Sequence, residues 1–136
     1  MEINELHIGT KISGDTLADI FKCSKQGGMR RSLTTNTLVL ISSRIKSLYK
    51  DEWQGDILHY TGMGQKGNQD ISRQNKTLAE SNSNGVTIHL FEMFTQGVYT
   101  YAGIMKLAGE PYRSIQKDVS GADRQVYIFP LKRLST

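Results

Sequence analysis

Residues 55–82 have the sequence GDILHYTGMGQKGNQDISRQNKTLAESN, which predicts a strand, a glycine-rich loop and a helix in succession. Asp56 to Tyr60 has the composition of a short strand, and a tyrosine that ends a strand can present a flat ring to a ligand. Three glycines, Gly62, Gly64 and Gly67, follow within six residues. Glycine adopts positive φ and lets the backbone approach a ligand closely, so we expect a binding loop here.

The predicted helix extends from Asp70 to Asn82. Ile71, Asn75 and Leu78 fall near one face of it together with Asn82, which is the spacing of an amphipathic helix. Asp70 is the expected N-terminal cap because its carboxylate can accept a hydrogen bond from the first helical turn.

The three glycines also satisfy the bare pattern G-x-G-x-x-G of dinucleotide-binding loops. In that motif the helix opens within the glycines, whereas the first cap candidate here is Asp70. The nearest acid about 20 residues on is Glu80, which lies in the predicted helix instead of ending a second strand. The pattern is therefore a weak indication of nucleotide binding.

Four other segments have the apolar and β-branched composition of strands. They are Thr35 to Ser42, Val86 to Phe94, Val98 to Leu107 and Arg124 to Leu131. The second and third are separated by a short turn and predict a hairpin. Ser43 to Gln54 and Arg113 to Ala122 lack a clear period and are predicted to be loops.

Near the N-terminus, Leu17, Ile20 and Phe21 have the spacing of a short helix, with Asp15 or Thr16 as its expected cap. The chain of 136 residues is long enough for one domain with a core, which we expect to span residues 1–136. Five or so strands and two short helices predict an α+β fold, mainly β. We expect a small curved sheet or partly open barrel with helices at its ends.

Composition favours a protein of the cytoplasm that has no membrane span. No apolar run approaches the length that crosses a bilayer, and the first ten residues lack the pattern of a signal peptide. The single cysteine, Cys23, cannot form an internal disulfide, which fits a reducing compartment. The formal charge of +4 permits nucleic-acid binding without requiring it.

Four motifs in order resemble the SRA (SET- and RING-associated, or YDG) domain. They are GGMRRS at 27–32, TLVLIS at 37–42, HYTGMG at 59–64 and QNKTLAESN at 74–82. The resemblance covers about Gly27 to Phe94, and it is strongest to bacterial SRA-like domains of modification-dependent restriction endonucleases. It implies a PUA-like barrel that binds modified cytosine in DNA by flipping the base.

The resemblance also implies a base pocket around the Tyr-Thr-Gly motif. The implied pocket residues are Tyr49, Asp51, Trp53, Tyr60, Thr61 and Gly62. Tyr60 matches the tyrosine that stacks on the base, with Tyr49 or its substitute Trp53 as the second ring. Cytosine presents its N4 amino group as a donor, so a carboxylate is expected beside it, from Asp51 or alternatively Glu52. An ordinary core position at the end of a strand is the alternative for Tyr60.

The segment from Lys22 to Ser32 carries four cations, two adjacent glycines and no acid. The resemblance places it where SRA domains contact DNA. The residues predicted to contact the DNA backbone are Arg30, Arg31, Ser32, Lys66, Arg73 and Lys76. Such contacts supply affinity and position but no sequence information, and a solvated surface is the alternative for each cation.

No catalytic, metal or cofactor site is predicted. His7, His59 and His89 occur singly without metal-ligand spacing, and the adjacent acids Asp51 and Glu52 need not converge. A nuclease activity would therefore belong to a separate HNH-type domain, fused or associated.

The leading hypothesis is a module that recognises 5-methyl- or 5-hydroxymethylcytosine in double-stranded DNA by base flipping, as the targeting part of a modification-dependent restriction system. The first alternative is a PUA/ASCH-like barrel that binds RNA or a small nucleotide. The second alternative is a small hydrolase on the same fold, which would require a convergent lysine–carboxylate or histidine–carboxylate pair.

Overall fold

A computed structural model describes residues 1–45 and 47–134 of the chain. A 3₁₀-helix at Ile3–Glu5 precedes two α-helices, α1 (Gly14–Phe21) and α2 (Arg73–Ala79). The strands of the described part are β1 (Lys11–Ser13), β2 (Met29–Ser32), β3 (Thr37–Ser43), β4 (Glu52–Gln54), β5 (Ile57–Thr61), β6 (Thr87–Thr95), β7 (Val98–Leu107), β8 (Tyr112–Lys117) and β9 (Asp123–Arg133). In this part of the chain, no helix is long and apolar enough to cross a membrane.

The strands form one curved sheet in the order β2-β3-β6-β7-β9-β5-β4, with β1 beside β7 and β8 beside β9. Only β3 and β6 pair in parallel; the other pairs between described strands are antiparallel. The first half of β9 pairs with β8, while its second half pairs with β7 and β5. Because β9 changes partners along its length, the sheet bends around it. The predicted α+β, mainly β fold is confirmed.

Two hydrophobic cores lie on opposite faces of the curved sheet. The first contains Leu58 and Phe129 under Leu78 of α2, all with no measurable exposure. The second contains Phe91 of β6 under Leu17 and Phe21 of α1. Since burying one large apolar side chain is worth about 1.5–3 kcal/mol, these cores supply the main driving force for folding.

The predicted loop from Arg113 to Ala122 is wrong in its first half, because β8 extends to Lys117, and only residues 118–122 lie outside a strand. All six residues of β8 pair with β9, from Tyr112 opposite Ile128 to Lys117 opposite Asp123. The strand is mostly exposed and polar, so its own sequence has little apolar alternation, and the pairing with β9 supplies its stability.

Both predicted helix caps differ from the structure. The side chain of Ser13, and not that of Asp15 or Thr16, caps α1 by accepting a hydrogen bond from the Thr16 amide at 3.1 Å. Helix α2 is shorter than predicted, and Ser72 is the residue that precedes it. The Asp70 carboxylate instead accepts a hydrogen bond from the Ser72 hydroxyl.

Candidate nucleic-acid interface

The glycine-rich loop that follows β5 is held by two amide side chains. Gln69 donates from Nε2 to the carbonyl oxygens of Gly62 at 2.7 Å and Gly64 at 3.2 Å. Asn75 of α2 accepts from the Met63 amide at 2.9 Å and donates to the Met63 carbonyl at 3.0 Å. Both side chains are buried, so the loop has one defined shape. Asn75 therefore has a structural role in fixing the motif beside it.

Gly62 lies where no side chain fits. A Cβ atom there would lie 2.9 Å from Asn75 Oδ1, 3.0 Å from Phe129 and 3.1 Å from Gln69 Oε1. We expect Gly62→Ala to lower the free energy of unfolding by about 1–3 kcal/mol, because all three neighbours are packed. Urea denaturation measures this change. Gly109→Ala is the control, since its nearest neighbour would be Pro130 at 3.4 Å; equal losses for the two variants would contradict the close packing.

The turn between β8 and β9 is tied to the same glycine-rich loop. The Asp118 carboxylate accepts from the Gly67 amide at 3.1 Å and from the Ser120 and Ala122 amides at 2.9 and 3.1 Å. A hydrogen bond from the Ser120 hydroxyl, followed by these three from backbone amides, holds the pKa of Asp118 well below its usual range. Arg124 donates to the carbonyl oxygens of Gly64 and Gly67 from the neighbouring strand. The turn between β8 and β9 and the start of β9 thus both hydrogen-bond to the glycine-rich loop.

Asp51 lies beside the Tyr-Thr-Gly motif, as the pocket hypothesis requires. Its carboxylate accepts from the Thr61 amide at 2.7 Å and from the Ser42 hydroxyl at 2.8 Å. Burial raises the pKa of Asp51, while these hydrogen bonds and the nearby Arg44 guanidinium oppose the rise. The Thr61 hydroxyl is a third donor to this carboxylate, which leaves one lone pair free to accept a further hydrogen bond.

A second layer of polar side chains contacts Asp51 or the residues that contact it. Arg44 donates to the Asp51 carbonyl at 2.9 Å and forms a half-buried ion pair with Glu92 at 3.1 Å. Trp53 donates its indole N–H to the same Glu92 carboxylate at 3.1 Å, and the Arg133 guanidinium lies 5.0 Å from the Trp53 ring centre. Trp53 is thus engaged in this layer, so Tyr49 is the remaining candidate for the second aromatic ring of the predicted pocket.

Tyr60 is a core residue in this structure, with 3% of its surface exposed. Its hydroxyl donates toward two carbonyl oxygens, that of Gly28 at 2.9 Å and that of Ile41 at 3.1 Å. Burial, followed by the charges of Asp51 and Tyr49, raises the pKa of Tyr60 well above its usual range. The structure therefore brings Tyr49, Asp51 and Tyr60 near one another. Stacking of Tyr60 on a base stays a prediction.

The six residues predicted to contact DNA phosphates divide into two groups. The first group is engaged within the protein: Arg30 and Ser32 are 4% and 2% exposed, and Arg31 is half-buried. Arg30 donates to the Gly27 carbonyl at 2.8 Å and to the Tyr99 hydroxyl at 3.2 Å. Arg30 and Ser32 lie on one face of β2 and Arg31 on the other, and both faces are covered, so a basic sequence did not produce a solvated face.

Arg31 uses its guanidinium to close the turn between β2 and β3. It donates to the carbonyl oxygens of Ser32 and Thr37 and to the side chain of Asn36. The second group consists of Lys66, Arg73 and Lys76, whose side chains are exposed around the glycine-rich loop and α2. Arg73 also has a positive φ of 51°. Phosphate contact by all six residues stays a prediction, and the exposed three are best placed for it.

Two open cavities meet at Met63. One, of about 310 Å³, is lined by Met63, Gly64, Asp70, Ser72, Arg73 and Asn75. The other, of about 460 Å³, is lined by Ser24, Gln26, Gly27, Met29, Arg30, Arg31, Met63 and Gln74. Together they form a concave surface between the glycine-rich loop and the basic segment.

The two buried or partly buried histidines of the sheet pair with tyrosines. His59 Nδ1 lies 2.7 Å from the Tyr112 hydroxyl, and His89 Nδ1 lies 2.9 Å from the Tyr101 hydroxyl. Burial lowers the pKa of His89 to about 4, so this imidazole is neutral at pH 7. Among the residues that the structure describes, no three His, Cys, Asp or Glu side chains group together as metal ligands.

Sequence reasoning missed several residues of this site. Ser42 of β3 donates to the Asp51 carboxylate, and Arg44, which follows β3, donates to the Asp51 carbonyl. Glu92 of β6 pairs with Arg44, and Gln116 of β8 contacts Thr61. They lie far from the Tyr-Thr-Gly motif in sequence, and the sheet alone brings them together. Their sequence positions carry no signal beyond a polar residue within or beside a strand.

A family model described as "ScoMcrA-like, SRA domain" matches residues 8–136. A solved structure of the sulfur binding domain and SRA domain of ScoMcrA with phosphorothioated DNA has a TM-score of 0.79 and 15% identity. The type IV phosphorothioation-dependent restriction endonuclease ScoMcrA gives a TM-score of 0.79 and 17% identity. Both matches cover 96% of this chain, which spans only 40% and 28% of those two chains.

The SRA domain of SUVH5 in complex with fully methylated CG DNA is also similar. Its TM-score is 0.71 at 19% identity, and the match covers 96% of this chain and 90% of that one. None of the curated proteins matches the sequence. At such low identity these likenesses establish the fold, and the family match covers nearly the whole chain.

Proposed function

The chain belongs to the ScoMcrA-like SRA domain family, and from this premise we propose that it binds DNA that carries a chemical modification. The similar solved structures include complexes with phosphorothioated and with methylated DNA. The formal charge of +4 and the exposed Lys66, Arg73 and Lys76 support binding to a polyanion. Contacts between these cations and phosphates would supply affinity that does not depend on sequence.

We further propose that the modification is a 5-methyl or 5-hydroxymethyl group on cytosine, and that the base is flipped out of the duplex. The observation that carries this proposal is the Asp51 carboxylate, held by Thr61 and Ser42 with Tyr49 and Tyr60 nearby. A flipped base is recognised by stacking and by hydrogen bonds to its Watson–Crick edge. Asp51 would accept from the N4 amino group, which cytosine has and thymine lacks.

The biological setting is also a proposal. The chain spans less than half of the ScoMcrA structures that it matches, so we place it as the targeting domain of a modification-dependent restriction system. The nuclease would lie in a separate domain, fused to this chain or associated with it. This restriction system would act in the cytoplasm.

One binding panel tests the proposed function. A single duplex sequence is prepared with cytosine, 5-methylcytosine, 5-hydroxymethylcytosine or one phosphorothioate linkage, and a matched RNA duplex completes the set. Because burying one methyl group is worth about 0.8 kcal/mol, we expect one cytosine modification to strengthen binding by about fourfold or more. Fluorescence of 2-aminopurine opposite the modified base should rise when that base leaves the stack.

Three results would contradict parts of this proposal. Equal affinity for plain and base-modified duplexes would exclude recognition of a modified base. Preference for the phosphorothioate alone would move the recognised group to the backbone, and tighter binding to RNA would support the alternative of an RNA-binding barrel. Tight binding to 5-methylcytosine without a fluorescence rise would exclude flipping.

A further inference from the structure

The α1 face of the sheet contains an open cavity of about 1040 Å³ that is separate from the candidate nucleic-acid interface. The N-terminal segment, α1 and the strands β6 and β7 surround it. Its apolar lining is aliphatic and comes mainly from Ile3, Leu6, Ile8, Ile20 and Ile104. Small-molecule sites have volumes of about 300–1,000 Å³ and combine an apolar lining with a few polar groups. This cavity therefore has the size and the apolar lining of a ligand site.

Two buried polar side chains line the same cavity. His89 of β6 is 4% exposed, Tyr101 of β7 is 5% exposed, and His89 Nδ1 lies 2.9 Å from the Tyr101 hydroxyl. The other ring nitrogen of His89, Nε2, has no hydrogen-bond partner in the described part of the chain, yet it is not among the unpaired atoms there that are closed off from solvent. Because His89 lines this cavity and is otherwise buried, Nε2 faces the cavity.

The histidine–tyrosine pair offers one donor and one acceptor in either tautomer of His89. If the Tyr101 hydroxyl donates to Nδ1, Nε2 carries the ring proton and donates, while the Tyr101 oxygen can accept. If Nδ1 donates to Tyr101, Nε2 accepts and the Tyr101 hydroxyl donates. A ligand group with a donor beside an acceptor, such as an amide, therefore matches the pair in both arrangements.

Both members of the pair are uncharged at neutral pH. Burial lowers the pKa of His89 to about 4 and raises the pKa of Tyr101 to about 12. At the rim, Asp19 and Lys22 form an ion pair with each other at 3.7 Å. A charged ligand would lose its hydration without meeting an opposite charge at the histidine–tyrosine pair. A purely aliphatic ligand would leave Nε2 unpaired.

We propose that this cavity is a second ligand site, which binds an uncharged small molecule with an apolar body and one amide-type group. The aliphatic lining would cover the apolar body, and His89 Nε2 with the Tyr101 hydroxyl would hydrogen-bond to the amide. The residues that line the cavity are distinct from the predicted base pocket and from the predicted DNA contacts. The proposal is thus independent of the proposed function.

Three probes of similar size test the ligand class: benzamide is neutral with an amide, benzoate is charged, and toluene is purely apolar. Each is titrated into the isotope-labelled full chain, and NMR follows the imidazole nitrogen signals of His89. We expect benzamide to shift the Nε2 signal in a saturable way and to bind roughly tenfold more tightly than the other two, because an unpaired buried polar group weakens binding by about that factor.

Tyr101→Phe removes the hydroxyl and keeps the ring. It should weaken benzamide binding by roughly tenfold and leave toluene binding unchanged, which a general loss of structure would not do. Tyr112→Phe is the matched control, because the Tyr112 hydroxyl lies 2.7 Å from Nδ1 of His59 and both residues lie outside the cavity. It should change neither affinity. If Tyr101→Phe does not fold, Ile104→Trp serves as the second variant, since the larger side chain would occupy the cavity and should weaken binding of benzamide and toluene alike.

Each contrary result overturns a stated part of the proposal. Unchanged benzamide affinity in folded Tyr101→Phe would exclude the hydroxyl as a ligand contact. Tighter binding of toluene or benzoate than of benzamide would overturn the ligand class. If none of the three probes shifts the His89 signals in a saturable way, the cavity is not a ligand site. The proposed DNA binding is measured separately by the duplex panel, so its failure would leave this proposal intact.

Discussion

Asp51→Asn is expected to weaken binding to a duplex with modified cytosine by about ten- to a hundredfold while the fold stays intact. Hydrogen bonds to charged groups are worth about 1.5–3 kcal/mol, and the Asp51 carboxylate is the acceptor nearest the Thr61 amide. An asparagine keeps one oxygen for Thr61 and can donate its NH₂ to Ser42, so the local structure should survive. The acceptor for the cytosine N4 amino group would be lost.

The same substitution should raise stability at neutral pH. Burial raises the pKa of Asp51 in the folded protein above the unfolded value of about 3.9, so the folded state takes up a proton more readily. Wild type therefore gains stability as pH falls through the folded pKa of Asp51, and the charge is a cost at higher pH. The stability advantage of Asp51→Asn should be largest at neutral pH. It should disappear as the pH falls to the pKa of Asp51 in the unfolded chain. Urea denaturation across pH measures it.

Glu52→Gln is the control for both effects, because Glu52 is the exposed neighbour of Asp51 and loses the same charge. It should leave the preference for modified cytosine unchanged. If Glu52→Gln abolishes the preference and Asp51→Asn does not, the acid that contacts the base is Glu52, and the assignment of Asp51 is wrong.

Local sequence patterns predicted those strands whose own residues show the apolar pattern of a strand. The strand before the glycines and the hairpin of β6 and β7 are apolar with partial alternation, and β3 is a continuous apolar run, so their sequences alone indicate them. Strand β8 lacks this signal because five of its six residues are exposed or half-buried. Its existence depends on β9, which no local pattern reveals.

Charge was harder to place than hydrophobicity. Arg30 and Arg31 look like a solvated pair in sequence, yet one stacks 5.2 Å from the Tyr99 ring centre and the other closes a turn. A long arginine side chain can satisfy backbone carbonyls that no nearby residue would reach, and only the three-dimensional fold determines which carbonyls those are. The contacts of Ser42 and Gln116 with the pocket residues are of the same kind.

Tyr60→Ala is expected to lower the free energy of unfolding by about 3–5 kcal/mol, the usual range for removing a buried aromatic side chain. Tyr60 is 3% exposed and belongs to the core under α2, so a cavity would replace its ring. Small domains have about 5–15 kcal/mol of stability in total, so little would remain. Loss of DNA binding by this variant therefore cannot be assigned to stacking alone.

Tyr60→Phe and Tyr49→Ala separate the structural and stacking roles. The phenylalanine keeps the ring but leaves the Gly28 and Ile41 carbonyls without the hydroxyl, which should cost about 1–3 kcal/mol of stability and little binding. Tyr49 is half-buried, so Tyr49→Ala should keep most of the stability. It should weaken binding to modified cytosine by roughly ten- to a hundredfold, because stacking is worth about 1–3 kcal/mol per base. Urea denaturation measures the stability of each variant, and gel shifts on the same samples measure its binding to modified cytosine.

A Tyr60→Ala protein with wild-type stability and no modified-base preference would show that Tyr60 leaves the core to stack. Full binding by Tyr49→Ala would remove Tyr49 from the pocket.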